Sequence, residues 1–132
     1  MARQNLSSGT RWESEVGYSR AVRIGPMILV AGTTATDTAG NIVGIGDAGA
    51  QAEQCLANIG RALERLGGSL ADVARTRIFV RNIDDWPRIG AAHRAAFSAN
   101  PPAATMVEVS RFVAPEMLVE IEAEAWLESD RA

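Results

Sequence analysis

Glu120, Glu122 and Glu124 recur at every second position of "LVEIEAEAWL" (118–127), so in an extended chain all three carboxylates leave the same side, with Leu118 and Trp126. Val119, Ile121, Ala123, Ala125 and Leu127 leave the other. "VARTRIFVRN" (73–82) has the same period, with Arg75, Arg77, Phe79 and Arg81 alternating with Thr76, Ile78 and Val80. A carboxylate withdrawn from water can orient or deprotonate a water molecule, and a guanidinium can grip an anion through two parallel hydrogen bonds. Two such rows offer acid–base work, anion recognition or a solvated charged surface.

The remaining reactive side chains narrow the chemistry. All 13 basic residues are arginine, which closes Schiff-base catalysis through a lysine. A single cysteine, Cys55, and a single histidine, His93, cannot supply the three or four N/S ligands of a zinc site or a disulfide within the chain. A carboxylate-only magnesium or calcium site stays open but has no recognisable loop, and neither metal nor cofactor is expected. "GIGDAG" (Gly44, Gly46, Gly49) fits G-x-G-x-x-G, but the strand after the next helix ends in Arg81-Asn82 and lacks the acidic residue that would hold a ribose. There is no G-x-S-x-G nucleophile turn. A formal charge of −3 argues against a nucleic-acid partner. No apolar run approaches the roughly 18 to 20 residues of a membrane span, and "MARQNLSSGTRWESE" has no signal-peptide core, so a cytoplasmic location is expected.

These residues must be positioned by a small set of elements. The length suits one domain over 1–132, with 1–16 an extended N-terminal segment. Runs 18–24 and 27–33, broken by Gly25-Pro26, read as a hairpin, and "DTAGN" leads to a short strand at Ile42 and Val43. Asp47 can cap a helix with an apolar stripe of Ala52, Cys55, Leu56, Ile59, Leu63 and Leu66, ending at Gly67-Gly68. Cys55 is thereby a core residue. Ser69 and Asp72 suit a capped turn, and Asp84 or Asp85 can start a second helix with Trp86, Ile89, His93 and Phe97 on one stripe. His93 reads as a satisfied, partly buried histidine. Strands at 104–112 and 118–127 close the order β-β-β-α-β-α-β-β, an α+β two-layer domain with one sheet face covered by two helices.

Strand parity puts Met27, Leu29, Ala31, Arg75, Arg77, Phe79, Arg81, Met106, Glu108, Ser110, Glu120, Glu122 and Glu124 on the uncovered face. Large apolar residues among the charges imply that a partner covers it, and a second copy of the chain is the economical partner.

"PPAATMVEVSRFVAPEMLVEIEAEAW", with "VAGTTA" and "ADVARTRIFVRNIDDW", resembles the RidA/YjgF family of imine deaminases from about Gly17 to Trp126. The resemblance implies a chorismate-mutase-like fold, a homotrimeric barrel and small-molecule clefts between subunits. It places a water-positioning glutamate at Glu120 and a pocket tyrosine at Tyr18. The family's carboxylate-clamping arginine falls at Ala104, its serine at Ala31 and a common cysteine at Met106; Gly32 and Thr105 flank these pocket positions. Loss of the arginine clamp implies something other than a standard 2-imino acid deaminase, acting on an imine, enamine or related C–N compound without a free carboxylate. Arg77 either supplies a replacement cation or pairs structurally with Glu120, Glu122 or Glu108. A non-catalytic metabolite-binding protein and a chaperone-like trimer stay open beside the hydrolase.

Overall fold

Period-two and period-3.6 patterns partition the chain in the computed structural model, which describes residues 2–128. The elements are β1 (Arg3–Leu6), α1 (Arg11–Val16), β2 (Ala21–Ile24), β3 (Met27–Thr33), α2 (Ala48–Arg65), β4 (Val73–Val80), α3 (Trp86–Phe97), β5 (Ala103–Glu108) and β6 (Val119–Trp126). The strands form one sheet in the order β1-β2-β3-β6-β4-β5, antiparallel except for the β4–β5 pair. Strand β6 enters between β3 and β4 and runs against both. It thereby carries the acidic row into the middle of the sheet.

Register separates the two faces. Pairs Thr76–Ala123, Ile78–Ile121 and Val80–Val119 lie on the helix side and are buried, whereas Arg75–Glu124, Arg77–Glu122 and Phe79–Glu120 lie on the open side. Buried residues of α2 and α3 (Ala52, Cys55, Leu56, Ile59, Leu63, Ile89, Ala92, Phe97) join the inward residues of β3, β4 and β6 in one core. Asp47 caps α2 through Oδ1, which accepts from the Ala50 amide at 3.0 Å. Ser69 and Asp72 form the expected capping box.

Gln51 ties this core to the acidic strand. Its side chain is fully buried; Nε2 donates to the Gly44 and Glu116 carbonyls at 3.2 and 2.9 Å, and Oε1 accepts from the Leu118 amide at 2.9 Å. The entry into β6 is thus hydrogen-bonded to the first turn of α2, because backbone groups at this depth need partners.

Four expectations are corrected. The N-terminal segment, expected to be extended over 1–16, contains a strand and a short helix. Strand β1 pairs with β2 over Arg3–Ile24 to Leu6–Ala21. The buried Glu13 carboxylate anchors the turn before α1, accepting from Ser7 Oγ (3.0 Å), the Ser8 amide (3.1 Å), Thr10 Oγ1 (2.9 Å) and Ser8 Oγ. Burial pushes its pKa up, but these donors outweigh burial and leave it below the ordinary range.

The strand expected at Ile42 and Val43 is reduced to a Thr36–Ile42 bridge. Asp37 Oδ1 accepts from the Ala39 and Asn41 amides and curls the chain there. Trp86 begins α3 but is 60% exposed, outside the buried stripe. Strand β5 has the opposite parity to that expected. Met106 pairs with Ile78 and packs on the core, Glu108 turns to the Ile83 amide (3.0 Å), and Thr105 and Val107 share the open-face rows of Arg77 and Phe79. Ser110 lies beyond the strand.

Candidate functional site

Between Val30–Ala123 and Thr33–Ile121, β3 places two residues, Ala31 and Gly32, against the single residue Glu122 of β6. The bulge bends β3 and brings its backbone under the next side chain of the acidic row. A Cβ built on Gly32 would lie 2.2 Å from Glu120 Oε2 and 3.0 Å from its Cδ. The absent side chain is what makes room for the carboxylate.

Glu120 is therefore the member of the acidic row withdrawn from water. Its pKa is raised, first by burial and further by the Glu122 charge, while the Arg20 cation opposes the rise. Glu122 and Glu124 are engaged elsewhere: Arg77 Nη1 donates to Glu122 Oε1 at 3.1 Å and to Glu124 Oε2 at 2.6 Å. These bonds raise the Arg77 pKa, the one to Glu124 most. Of the two roles open to Arg77, the structure supports the structural pairing, with Glu122 and Glu124 as partners.

The cation whose charge acts on Glu120 is Arg20. It precedes β2, and its Nη2 donates to the Gly32 carbonyl at 2.8 Å, with Cζ 5.6 Å from the centre of the Tyr18 ring. The Arg20 carbonyl also accepts from the Ala31 amide at 3.0 Å, and the Glu13 carbonyl accepts from the Tyr18 amide at 3.0 Å. One bulge, one hairpin strand and the N-terminal turn thus bring Tyr18, Arg20, Ala31, Gly32 and Glu120 together. Arg20 was missed in the sequence. Its signal was the i, i+2 spacing from Tyr18, which puts both on one side of an extended chain.

The β5 positions are not brought to Glu120 within one chain. Ala104 and Thr105 stand level with Thr76 and Arg77, two strands across from β6, about 10 Å away at ordinary strand spacing. Thr105 is on the open face, Ala104 on the helix side and exposed, and Met106 against the core. Cys55 is buried beside the Val119 carbonyl, and burial, then the Glu120 charge, push its thiol up to about 12. His93 Nε2 and Thr76 Oγ1 share a 2.8 Å hydrogen bond and the ring packs on Phe97, with burial lowering its pKa. Both are structural, as their positions on the helix stripes indicated. Among the described residues, no group of three His, Cys, Asp or Glu side chains is placed to hold a metal ion.

A family model described as Endoribonuclease L-PSP matches residues 8–127. The chain belongs to this family, which is also called YjgF/RidA. It is 35% identical to the 3-aminoacrylate deaminase RutC of Acinetobacter baylyi, over 79% of this chain and 82% of that protein. With the 2-iminobutanoate/2-iminopropanoate deaminase of Salmonella typhimurium it shares 32% identity, over 80% and 84%. The crystal structure of Rv2704 from Mycobacterium tuberculosis, a YjgF/YER057c/UK114 family member, superposes with a TM-score of 0.87 at 47% identity, covering 96% of this chain and all of that one. The mixed α+β architecture of one sheet and three helices is the fold of these relatives.

Replacing Gly32 by alanine is expected to drive the Glu120 carboxylate from its position. The obstacle is the end of a flexible side chain, so the loss of stability should not exceed the roughly 1–3 kcal/mol typical of overpacking. A crystal structure of Gly32→Ala should show a changed Glu120 rotamer in an otherwise intact fold. An unmoved Glu120 would contradict the assignment of Gly32 as its seat.

Proposed function

We propose that this protein hydrolyses a small reactive imine, enamine or related C–N compound, with Glu120 as the group that orients and deprotonates water. The observation that carries this is the Glu120 carboxylate, held partly out of water over Gly32 with a raised pKa. A base with a raised pKa accepts a proton from water more readily than an ordinary glutamate does. Water oxygen bonds to the electrophilic carbon, its proton passes to Glu120, and the electron pair of the C=N bond moves to nitrogen. Return of the proton to nitrogen and collapse of the carbinolamine then release ammonia and leave a carbonyl compound. Names of relatives such as 3-aminoacrylate deaminase and 2-iminobutanoate/2-iminopropanoate deaminase support this reaction class. RNA cleavage, which the description of the family model suggests, fits the charges poorly: a row of carboxylates repels phosphate.

The substrate is not a standard 2-imino acid gripped from β5, since Ala104 stands where the family arginine belongs. Replacement of that arginine, and of the serine and cysteine by Ala31 and Met106, favours a second reading, a binding protein without turnover. A chaperone-like trimer is the third.

The cleft is completed by other copies of the chain. Leu29, Val107 and Trp126 on the open face are 39%, 43% and 61% exposed, too much apolar surface to leave beside a charged ladder in water. A homotrimer would cover them and bring Thr105 and Ala104 of one copy toward Glu120 of the next. Sedimentation at micromolar concentration should return three times the 14.0 kDa chain mass. A compact, folded 14.0 kDa species would contradict the shared cleft.

Ammonia release from imines and enamines generated in situ tests the chemistry. Glu120→Gln keeps the shape and removes the base, and turnover should fall by about 100-fold or more with the fold intact. Unchanged turnover would refute Glu120 as the base, and an inactive wild-type chain that still binds the carbonyl products would favour the binding protein.

A further inference from the structure

Arg20 is a tethered cation whose charge acts on the partly desolvated Glu120 carboxylate, yet it does not pair with it. Its charge acts on Glu120, but no Arg20 nitrogen pairs with a Glu120 oxygen within 4.0 Å among the described residues. Nη2 is anchored on the Gly32 carbonyl, the Tyr18 ring lies near the guanidinium, and Nε is shut away from solvent without an acceptor. Nη1 carries no hydrogen bond among the described residues. A guanidinium tethered on one side and unpaired on the other is preorganised for an incoming anion, because little freedom remains to be lost on binding. The other nearby cation, Arg77, is already shared between two glutamates.

We propose that Arg20 binds the carboxylate of the ligand, supplying from the first hairpin the anion contact that β5 lacks at Ala104. The ligand class is then a small acid, with its carboxylate against Arg20 and its imine or enamine carbon, two or three bonds away, against the water held by Glu120. A dipolar fit of this kind uses both charges: the anionic end is drawn to Arg20 and repelled by Glu120, which sets the orientation. Ligands without a carboxylate lose that orientation. The expectation of a substrate without a free carboxylate rested on Ala104 alone and is revised by the position of Arg20. The proposal rests on the site described above, but it concerns recognition and stands or falls apart from turnover.

The test compares pyruvate with its uncharged isostere pyruvamide as probes, titrated into the whole protein while the amide resonances of Ala31 and Gly32 are followed by NMR. Pyruvate should bind at least about tenfold more tightly than pyruvamide, the effect of a charge-assisted hydrogen bond. Arg20→Gln should erase the preference for pyruvate over pyruvamide, and Arg20→Lys should restore part of it. Equal binding of the two probes by wild type overturns the proposal without need of any variant, as does a preference that survives Arg20→Gln. Anion-selective binding without ammonia release would sustain Arg20 as the anchor and remove the hydrolase reading. Ammonia release without anion selectivity would do the reverse.

Discussion

A carboxylate can stay partly dry on a sheet face only where the neighbouring strand leaves room for it, and here that room is the missing side chain of Gly32. Everything at the site follows from this close approach. The β3 bulge sets two residues against Glu122 and lowers the backbone beneath Glu120, and the Gly32 carbonyl then anchors Arg20. The packing that desolvates the Glu120 carboxylate thus also fixes the cation. Glu120 differs from Glu122 and Glu124 in strand neighbours, not in chemistry: they stand beside Arg77, and it stands over glycine.

The rest of the fold serves that contact from a distance. Strand β6 is central, so its inward residues Val119, Ile121, Ala123 and Ala125 are locked against α2 and the register of the acidic row is locked with them. Gln51 holds the start of β6 to the first turn of α2. At the other margin, Glu13 satisfies the hydroxyls of Ser7, Ser8 and Thr10 with its carboxylate and the Tyr18 amide with its carbonyl, delivering the aromatic wall to the site. The Arg77 ladder is half exposed in one chain, where such pairs contribute little. Its value rises if neighbouring copies exclude water from it.

Much of this was legible in the residues, and the gaps have physical causes. Strict alternation in 118–127 and 73–80 revealed both faces, because only one side of each run is apolar. In β5 the apolar residues Ala104 and Met106 share one parity and Val107 and Val109 the other, so the pattern could not choose, and the parallel pairing with β4 decided it. Strand β1 was invisible because Leu6 is its one buried residue, and the lock around Glu13 is made of polar side chains that look like an ordinary surface turn. Glu120, Tyr18 and Gly32 were singled out through the family resemblance. Arg20 was overlooked because its tether appears only when a bulge twelve residues away presents a carbonyl to it.

The raised proton affinity of Glu120 is the property on which the proposed base and its seat over Gly32 depend. Carbon-13 NMR of the Glu120 side-chain carboxyl, followed across an acid titration of the folded protein, measures it directly. The structure requires a midpoint above the ordinary glutamate range. A midpoint at or below that range would mean that the carboxylate is hydrated or ion-paired, and the site as described would not exist.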